Sequence, residues 1–218
     1  MKGTLIKKMT ITATATLTAL TIMIGAGEKL PAYADGYDAP TPVEYDINGD
    51  NKTEEGEKAY KIETASNLYW FAGLVNGTLE GVEQNTSANA YLACDITVNE
   101  DLLTELITVN DDGTATKNEG KEIIEWTPIG ADEYNGVFDG AGKKISGLYF
   151  NDNNFSFLGL FNENYGTIKN VNVEDSYFCG DSWVGSICGK NYGKIYNCAN
   201  KGTVTGSGDN VGGVCGLN

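Results

Sequence analysis

The chain has 218 residues, and fifteen basic against thirty acidic side chains give it a formal net charge of −15 at neutral pH. Nucleic acid and anionic lipid are therefore excluded as favoured partners, because both are negatively charged. All fifteen basic residues are lysine, and the sequence has no histidine. This composition excludes histidine-activated nucleophiles, histidine metal ligands and guanidinium clamps on carboxylate or phosphate.

Residues 1–34 have the pattern of an export signal. Lysines precede an apolar, threonine-rich run from Met9 to Ile24, and a short polar stretch ends in the cleavage pattern Ala32-Tyr33-Ala34. A retained membrane anchor is the alternative, but the run has about 16 residues where a membrane span needs about 20. We expect cleavage after Ala34, an extracellular or cell-surface location, and no membrane insertion of the mature chain.

Residues 35–59 are polar and acidic, contain two prolines, and predict a linker or lead-in without regular structure. Side-chain oxygens in this segment follow the spacing of an EF-hand calcium loop. The matching positions are Asp46, Asn48, Asp50, Glu54 and Glu57. Asn51 stands where such a loop has glycine, and no helix is predicted before it. A solvated acidic linker is therefore favoured over a calcium site.

Residues 60–125 predict an N-terminal cap made of a helix, a first strand and a loop. The helix covers Ala65–Asn76, with Thr64 as its N-cap and Gly77 after its last residue. Its apolar positions share one face: Leu68, Phe71, Ala72 and Val75. Alternating apolar residues from Leu92 to Val98 predict one half-buried strand, and Leu102–Glu122 predicts a loop.

Residues 126–218 hold seventeen of the 28 glycines, a density that breaks helices and favours frequent turns. This half is also internally repeated. Asn164–Asn170 matches Asn191–Asn197, and Val184–Gly189 matches Val211–Gly216, both at an offset of 27 residues. Between these segments, two glycines correspond at an offset of 26 residues: Gly180 and Gly206. A slip of one residue belongs in a turn, while the flanking strands keep their register.

The period and the short apolar positions predict an all-β solenoid, in which each coil buries its apolar face only by stacking on its neighbours. Leucine-rich repeats need a leucine pattern that is missing here, and propeller blades are longer. The sequence stops at Asn218, where the next coil would begin. We therefore expect further repeats beyond this residue.

Three glycine motifs of this half resemble those of the GLUG-motif repeat proteins of bacterial cell surfaces. They are Leu158–Phe161, Val184–Gly189 and Val211–Gly216. Asn162 and Ser186 replace motif glycines in the first and second copies. The resemblance implies a right-handed parallel β-helix that begins near Tyr60, and a role in adhesion or surface display. It implies no catalytic residue.

Two cysteines occupy equivalent positions of successive repeats, Cys188 and Cys215. Side chains on neighbouring parallel strands point the same way, so two buried thiols are favoured over a disulfide. Cys198 aligns with Val171 at an apolar position, which agrees with this interpretation. The total of five cysteines leaves at least one of them without an intramolecular partner in any case.

Two pairs of polar or aromatic residues also recur between the repeats. Asn170 and Asn197 predict amide hydrogen bonds from coil to coil. Tyr165 and Tyr192 form a row of aromatic rings in the turn before a strand, where they suit stacking on sugar rings. Intramolecular stacking that covers the turn is the favoured alternative to a glycan site.

Three functions remain open from the sequence. The first is a structural or adhesive surface module that binds host or matrix glycans or proteins. The second is a carbohydrate-active β-helix hydrolase or lyase with candidate carboxylates Asp139, Asp175 and Asp181. The third is a calcium-stabilised spacer. We expect no enzyme activity, because the three aspartates have no arginine or histidine that could tune them.

Overall fold

The computed structural model describes residues 20–24, 28–32, 36–54 and 57–218. The predicted leader lies outside the described residues, apart from two short strands that pair antiparallel. Strands dominate the described part of the chain, which contains one α-helix and one π-helical turn. The expectation of a β-rich fold is therefore confirmed.

The helices and strands are named in chain order. They are β1 (Leu20–Ile24), β2 (Glu28–Ala32), β3 (Pro42–Glu44), β4 (Lys58–Ile62), α1 (Ala65–Asn76), β5 (Ala90–Leu92), β6 (Ile96–Thr97), the π-helical turn (Leu102–Leu106), β7 (Ile107–Val109), β8 (Ala115–Lys117), β9 (Val137–Asp139), β10 (Lys144–Ser146), β11 (Tyr149–Asn151), β12 (Phe161–Asn164), β13 (Thr167–Lys169), β14 (Asn172–Gly180), β15 (Cys188–Asn191), β16 (Lys194–Tyr196), β17 (Ala199–Gly206) and β18 (Cys215–Leu217).

Three sheets contain parallel strands. The first sheet has the order β16-β13-β9-β5-β4, with β3 added antiparallel to β4 at its edge. The second sheet has the order β6-β10-β14-β17, and β11 also pairs with β14. The third sheet is β12-β15-β18. From β12 onward, the chain visits the third, first and second sheets in that fixed order.

Strand pairing follows the sequence repeat. In the third sheet Phe161 pairs with Cys188, and Cys188 pairs with Cys215, which gives the offset of 27 residues. The paired glycines of the second sheet, Gly180 and Gly206, keep the offset of 26. An irregularity after Glu174 absorbs the missing residue. The paired strands therefore have the same residue offsets as the repeat in the sequence.

One apolar cluster runs through the three sheets. The rings of Phe138 in the first sheet and Phe161 in the third lie edge to face, with centroids 5.2 Å apart. Ile145 from the second sheet and Trp126 join the same cluster and are fully buried. Burial of this much apolar surface is the main favourable contribution to folding.

Helix α1 covers Ala65–Asn76, as predicted. The hydroxyl oxygen of Thr64 accepts a hydrogen bond from the backbone N–H of Asn67, and Gly77 has a φ of 68° in the left-handed region. Its apolar face belongs to the central cluster, where the Phe71 ring lies 6.1 Å from that of Phe138. Both end signals and the buried face were therefore predicted correctly.

The predicted strand from Leu92 to Val98 is wrong in part. It is two strands, since β5 pairs in the first sheet and β6 in the second, with a turn between them. Leu92 and Ile96 are both buried, while Cys94 between them is exposed. The turn exposes Cys94 but leaves Leu92 and Ile96 buried at an even spacing, as a single strand would, so the sequence pattern does not reveal it.

Residues 102–122 form more structure than the predicted loop. A π-helical turn is followed by the antiparallel pair β7 and β8. Leu102 and Ile107 are buried against Tyr149 and Tyr177 in a second, smaller apolar cluster. The segment is ordered because it covers two tyrosines that lie 40 or more positions further along the chain.

The lead-in also differs from the prediction of no regular structure. Strand β3 pairs with β4, and the Tyr45 ring stacks on Tyr91 with centroids 4.0 Å apart. The Lys169 ammonium donates to the backbone oxygen of Ile47 at 2.9 Å and pairs with Asp139 at 3.3 Å. This ion pair is almost fully buried. Among the residues that hold the lead-in are Tyr91, 46 positions after Tyr45, and Lys169, 122 positions after Ile47, which no local pattern could indicate.

Candidate binding surface

The third sheet has both fully buried and partly exposed positions along β12 and β15. Phe161 and Cys188 are fully buried, whereas Glu163, Lys190 and Leu217 lie side by side in register and are at least partly exposed. Each of these two fully buried residues lies two positions before a partly exposed one, so the burial does not follow a simple alternation of faces. The partly exposed row, which we call the outer face, carries one residue per repeat.

The predicted pair Tyr165 and Tyr192 lies at the end of this outer face. Their rings are stacked, with centroids 4.7 Å apart and an angle of 25° between the planes. Their side chains remain 45% and 53% exposed. The turn beneath them is fixed by an amide ladder, in which Asn164 Nδ2 donates to Asn191 Oδ1 at 2.6 Å. The predicted coincidence of the two rings is thus confirmed.

The stacking determines which parts of the two tyrosine side chains remain accessible to a ligand. Each ring uses one face on the other ring, so its outer face, its edge and its hydroxyl remain for contact. The Tyr165 hydroxyl donates to Glu163 Oε2 at 3.3 Å. Partial desolvation and then the negative charge of Glu163 raise the pKa of Tyr165. The hydroxyl therefore stays protonated at neutral pH, and while it donates its hydrogen to Glu163 its oxygen can accept a hydrogen bond from a ligand.

A second aromatic stack lies at the other end of the third sheet and was not predicted. Phe157 and Trp183 stack with centroids 4.8 Å apart and planes 7° from parallel. Both have left-handed backbones, with φ of 62° and 54°, which is rare for bulky side chains. Asn210 holds the equivalent position of the next repeat with a φ of 61°. The sequence signal was available, because each aromatic directly precedes an apolar-glycine motif.

Lys190 connects the two stacks. Its ammonium nitrogen lies 4.8 Å from the Tyr192 ring centroid and 5.4 Å from that of Phe157, within cation–π range of both. Its pKa is raised, most of all by the Tyr192 hydroxyl; burial is the second-largest effect and opposes the rise, and the charge of Glu163 adds a smaller increase. We call these five residues the aromatic surface: Phe157, Tyr165, Trp183, Lys190 and Tyr192.

The candidate calcium residues lie in a loop that is closed by its own hydrogen bonds. The Asp46 carboxylate accepts from the backbone N–H groups of Gly49, Asp50 and Asn51 at 2.8 to 3.1 Å. The Asn48 amide donates to Glu57 Oε1 at 2.7 Å. Among the described residues, no group of three or more acidic or cysteine side chains is arranged to hold a metal ion. The loop is nevertheless more ordered than a solvated linker.

The amide pair Asn170 and Asn197 is joined as predicted. Asn197 Nδ2 donates to Asn170 Oδ1 at 3.1 Å, and Asn170 in turn donates to Asp139 at 3.0 Å. Both asparagines have a left-handed backbone, with φ of 55° and 53°. Asparagine tolerates this conformation better than most residues, so structure alone accounts for both of them.

The candidate catalytic aspartates lie on separate elements. Asp139 in β9 pairs with Lys169, and Asp175 in β14 accepts the N–H groups of Leu102 and Leu103 at 2.9 Å. Asp181 lies after β14 and accepts from the Ser207 hydroxyl at 3.1 Å. Each carboxylate thus has a structural partner, and the fold does not gather them into one site.

One open cavity of about 290 Å³ carries a cluster of charges on the second sheet. Its lining is Thr97, Glu100, Asp101, Lys144, Ser146, Glu174 and Asp175. Lys201 and Lys144 both pair with Glu174 and lower its pKa, the hydrogen bond from Lys201 being the larger cause. A general acid at neutral pH needs a raised pKa instead, so Glu174 is poorly suited to that role.

The predicted cysteine pair is present as two thiols. Cys188 and Cys215 are partners in the parallel pair β15 and β18, and both are free. Burial raises the pKa of Cys188 well above its usual value, while a hydrogen bond from Cys188 lowers that of Cys215. Cys188 belongs to the apolar cluster, and Cys215 and Cys198 pack against it.

Comparison with known proteins gives two partial similarities. No family model and no solved structure matches the chain. Halomucin of Haloquadratum walsbyi is 36% identical over 86 residues, which are 38% of this chain and 1% of halomucin. A protein of Evansella cellulosilytica described as a Gly-rich membrane protein is 34% identical over 80 residues, which are 33% of this chain and 9% of that protein. The chain thus spans only a small part of either relative.

Within the described residues, no helix combines the length and the apolar character that crossing a membrane requires.

Proposed function

We propose that this chain is an exported module of a bacterial cell surface, built as a right-handed parallel β-helix, that binds extracellular glycans through the aromatic surface. The fixed order in which the chain visits the three sheets supports the β-helix, because each visit pairs in parallel with the one before it. Connections between parallel strands of one sheet are almost always right-handed, which supports the handedness.

The exposure of Tyr165 and Tyr192 is the observation that carries the binding function. A tyrosine pair that served only to cover a turn would bury most of its ring area, yet both side chains are about half exposed. Tyrosine combines a flat apolar ring with a polar tip, and sugars present apolar C–H groups beside hydroxyls in the same way. The names of the two partial relatives, a halomucin and a membrane protein, agree with a surface location.

A glycan array with the purified chain tests this function. The double variant Tyr165→Ala/Tyr192→Ala should lose at least about tenfold in affinity for the glycans that the chain binds, as expected for central aromatic contacts. Tyr196→Ala is the matched control, because this tyrosine is 45% exposed but lies in the first sheet. The proposal is wrong if the intact chain binds no glycan, or if both variants lose affinity equally.

A carbohydrate-active enzyme is the second candidate, and the charged cavity on the second sheet is the observation that favours it. The lowered pKa of Glu174 and the separation of Asp139, Asp175 and Asp181 argue against it. We expect no release of reducing sugar from any glycan that the array identifies. Release that is abolished by Glu174→Gln would establish the enzyme instead.

A calcium-stabilised spacer is tested by melting curves with and without a chelator. Backbone N–H groups already occupy the Asp46 carboxylate, so we expect the two curves to coincide. A lower melting temperature in the chelator would assign calcium to the loop that holds Asp46, Asn48, Asp50 and Glu57.

A further inference from the structure

Lys190 differs from most other partly buried lysines because it forms no ion pair among the described residues. The ion pairs closer than 4.0 Å within the described part of the chain join other lysines to carboxylates, and none of them includes Lys190. Lys169, the most buried lysine in such a pair, is matched by Asp139. Lys190 instead has aromatic rings around it, although it is half-buried in a strongly acidic protein.

Glu163 is the carboxylate nearest to Lys190 in the register of the third sheet. Its Oε2 atom accepts a hydrogen bond from the Tyr165 hydroxyl, so the carboxylate is held towards the tyrosine stack. Glu163 raises the pKa of Lys190 through space without closing an ion pair with it. The lysine is therefore fully charged at neutral pH, and its charge is not neutralised by direct contact.

Aromatic rings stabilise an ammonium ion without satisfying all its donors. An ammonium group has three N–H donors, and a contact with the nearby Tyr192 hydroxyl would use only one of them. The ring faces attract the cation but accept hydrogen bonds only weakly. Lys190 thus keeps donor capacity between two surfaces that suit sugar rings.

We propose that Lys190 makes the aromatic surface selective for acidic glycans, whose sugar rings carry carboxylate or sulfate groups. This inference rests on the proposed glycan binding. The two aromatic stacks contact the C–H groups of successive sugars, and the anionic group of the ligand takes the free donors of Lys190. Charge-assisted hydrogen bonds are about twice as strong as neutral ones, so this contact favours an acidic ligand over its neutral analogue.

Glu163 beside Lys190 opposes this preference locally, but its carboxylate accepts a hydrogen bond from the Tyr165 hydroxyl, and the rest of the net charge acts from further away. Charges further away than about 8 Å are largely screened at physiological ionic strength, whereas a direct hydrogen bond to Lys190 is not. We therefore expect the preference for acidic glycans to be clear in physiological salt. The local contact, and not the overall charge of −15, then decides which glycan binds.

The test compares three matched ligands by calorimetry in physiological salt: a galacturonic acid hexasaccharide, its fully methyl-esterified form, and a sulfated hexasaccharide of neutral sugars. The intact chain should bind at least one acidic ligand about tenfold more tightly than the ester. Lys190→Gln should remove this difference, and Lys190→Arg should retain most of it. Lys194→Gln is the control, since it removes an exposed lysine from the first sheet.

Each other outcome has a distinct meaning. Equal binding of acid and ester that is lost in Tyr165→Ala/Tyr192→Ala would overturn the role of Lys190 and leave the glycan function standing. Absence of binding to every ligand here and on the array would overturn both. Binding of a polyglutamate peptide of equal charge, as tight as that of the galacturonate, would overturn the inference too, because the surface would then recognise charge and not sugar.

Discussion

The repeat half of the chain, residues 126–218, and the region before it, residues 36–125, are stabilised in different ways. Several side-chain hydrogen bonds in the repeat half join residues 26 or 27 positions apart, as between Asn164 and Asn191 or Asn170 and Asn197. The earlier region is fixed by single distant contacts, such as the one from Lys169 to Ile47 across 122 positions. A repeat is thus supported by its neighbours, whereas the lead-in depends on particular partners.

The two regions should therefore also differ in how much stability a single substitution removes. In a repeat array, stability is close to a sum of nearest-neighbour interactions, so a local defect weakens one interface. The earlier region depends on single side chains that connect several elements, such as its own Phe71 or Lys169, which reaches it from the repeat half. The following variants test this contrast, from the largest expected effect to the smallest.

Helix α1 is the element whose loss should matter most. Phe71 is fully buried among the rings of Tyr134 and Phe138, so Phe71→Asp places a charge in the central cluster. We expect a loss of more than about 4 kcal/mol in the free energy of unfolding, enough to unfold much of the module. Thermal denaturation measures it, with Val82→Asp at an exposed site as control. An unchanged melting temperature would show that α1 does not cap the core.

The buried ion pair of Lys169 and Asp139 should come next. Lys169→Ala leaves the Asp139 carboxylate buried without its partner, which costs about 3 kcal/mol or more. The double variant Lys169→Met/Asp139→Asn should recover much of this loss, because both charges are then gone. Lys144→Ala is the control, since its pair with Glu174 is partly exposed, with side chains 45% and 25% exposed, and its loss should change the unfolding free energy by less than about 1 kcal/mol. Equal losses in Lys169→Ala and Lys144→Ala would contradict the proposed anchoring of the lead-in.

A glycine of the repeat motif should give a smaller, local effect. A Cβ atom added to Gly159 would lie 2.6 Å from the backbone oxygen of Gly185 in the next repeat. Gly159→Ala therefore pushes two repeats apart, and we expect a loss of about 2 kcal/mol in chemical denaturation. Gly213→Ala is the control, because a Cβ at that position meets nothing within 4 Å. The interpretation fails if the two variants are equally stable.

Alkaline pH should produce the mildest effect, through Tyr45. Burial, and then the negative charge of Asp139, raise the pKa of Tyr45 to about 12 from a usual value of 10.0. The contribution of the neutral hydroxyl is therefore fully present below about pH 10 and is lost as the pH rises towards 12. Tyr45→Phe should flatten this part of the stability curve relative to the unchanged chain, as followed by circular dichroism. Parallel curves would exclude Tyr45 as the titrating group.

Local signals predicted the elements that are specified locally. The cap residues Thr64 and Gly77 and the apolar spacing between them predicted α1 at its observed bounds. The turn between β5 and β6 was missed, because it keeps Leu92 and Ile96 buried at the same spacing as one continuous strand. The order of residues 102–122 was missed as well, since it comes from covering Tyr149 and Tyr177 on another element.

The sequence predicted one of the two aromatic stacks of the candidate site and missed the other. Tyr165 and Tyr192 stood out because they fall at equivalent positions of two clear repeats. Phe157 and Trp183 sit at equivalent positions too, but the repeat is imperfect there, and a different residue, Asn210, follows in the third copy. The place of Lys190 between the two stacks depends on the path of its side chain, which no sequence pattern contains.

The sequence by itself determined the period of the repeat, the helix and the rows of matching residues, because each of these is written in local spacing or in self-similarity. Only the tertiary structure decided which sheet each strand joins, how the lead-in is held by Lys169, and how one lysine comes to lie between two aromatic stacks. These features depend on contacts between residues that are far apart in the chain. Such contacts form only when the whole core is packed.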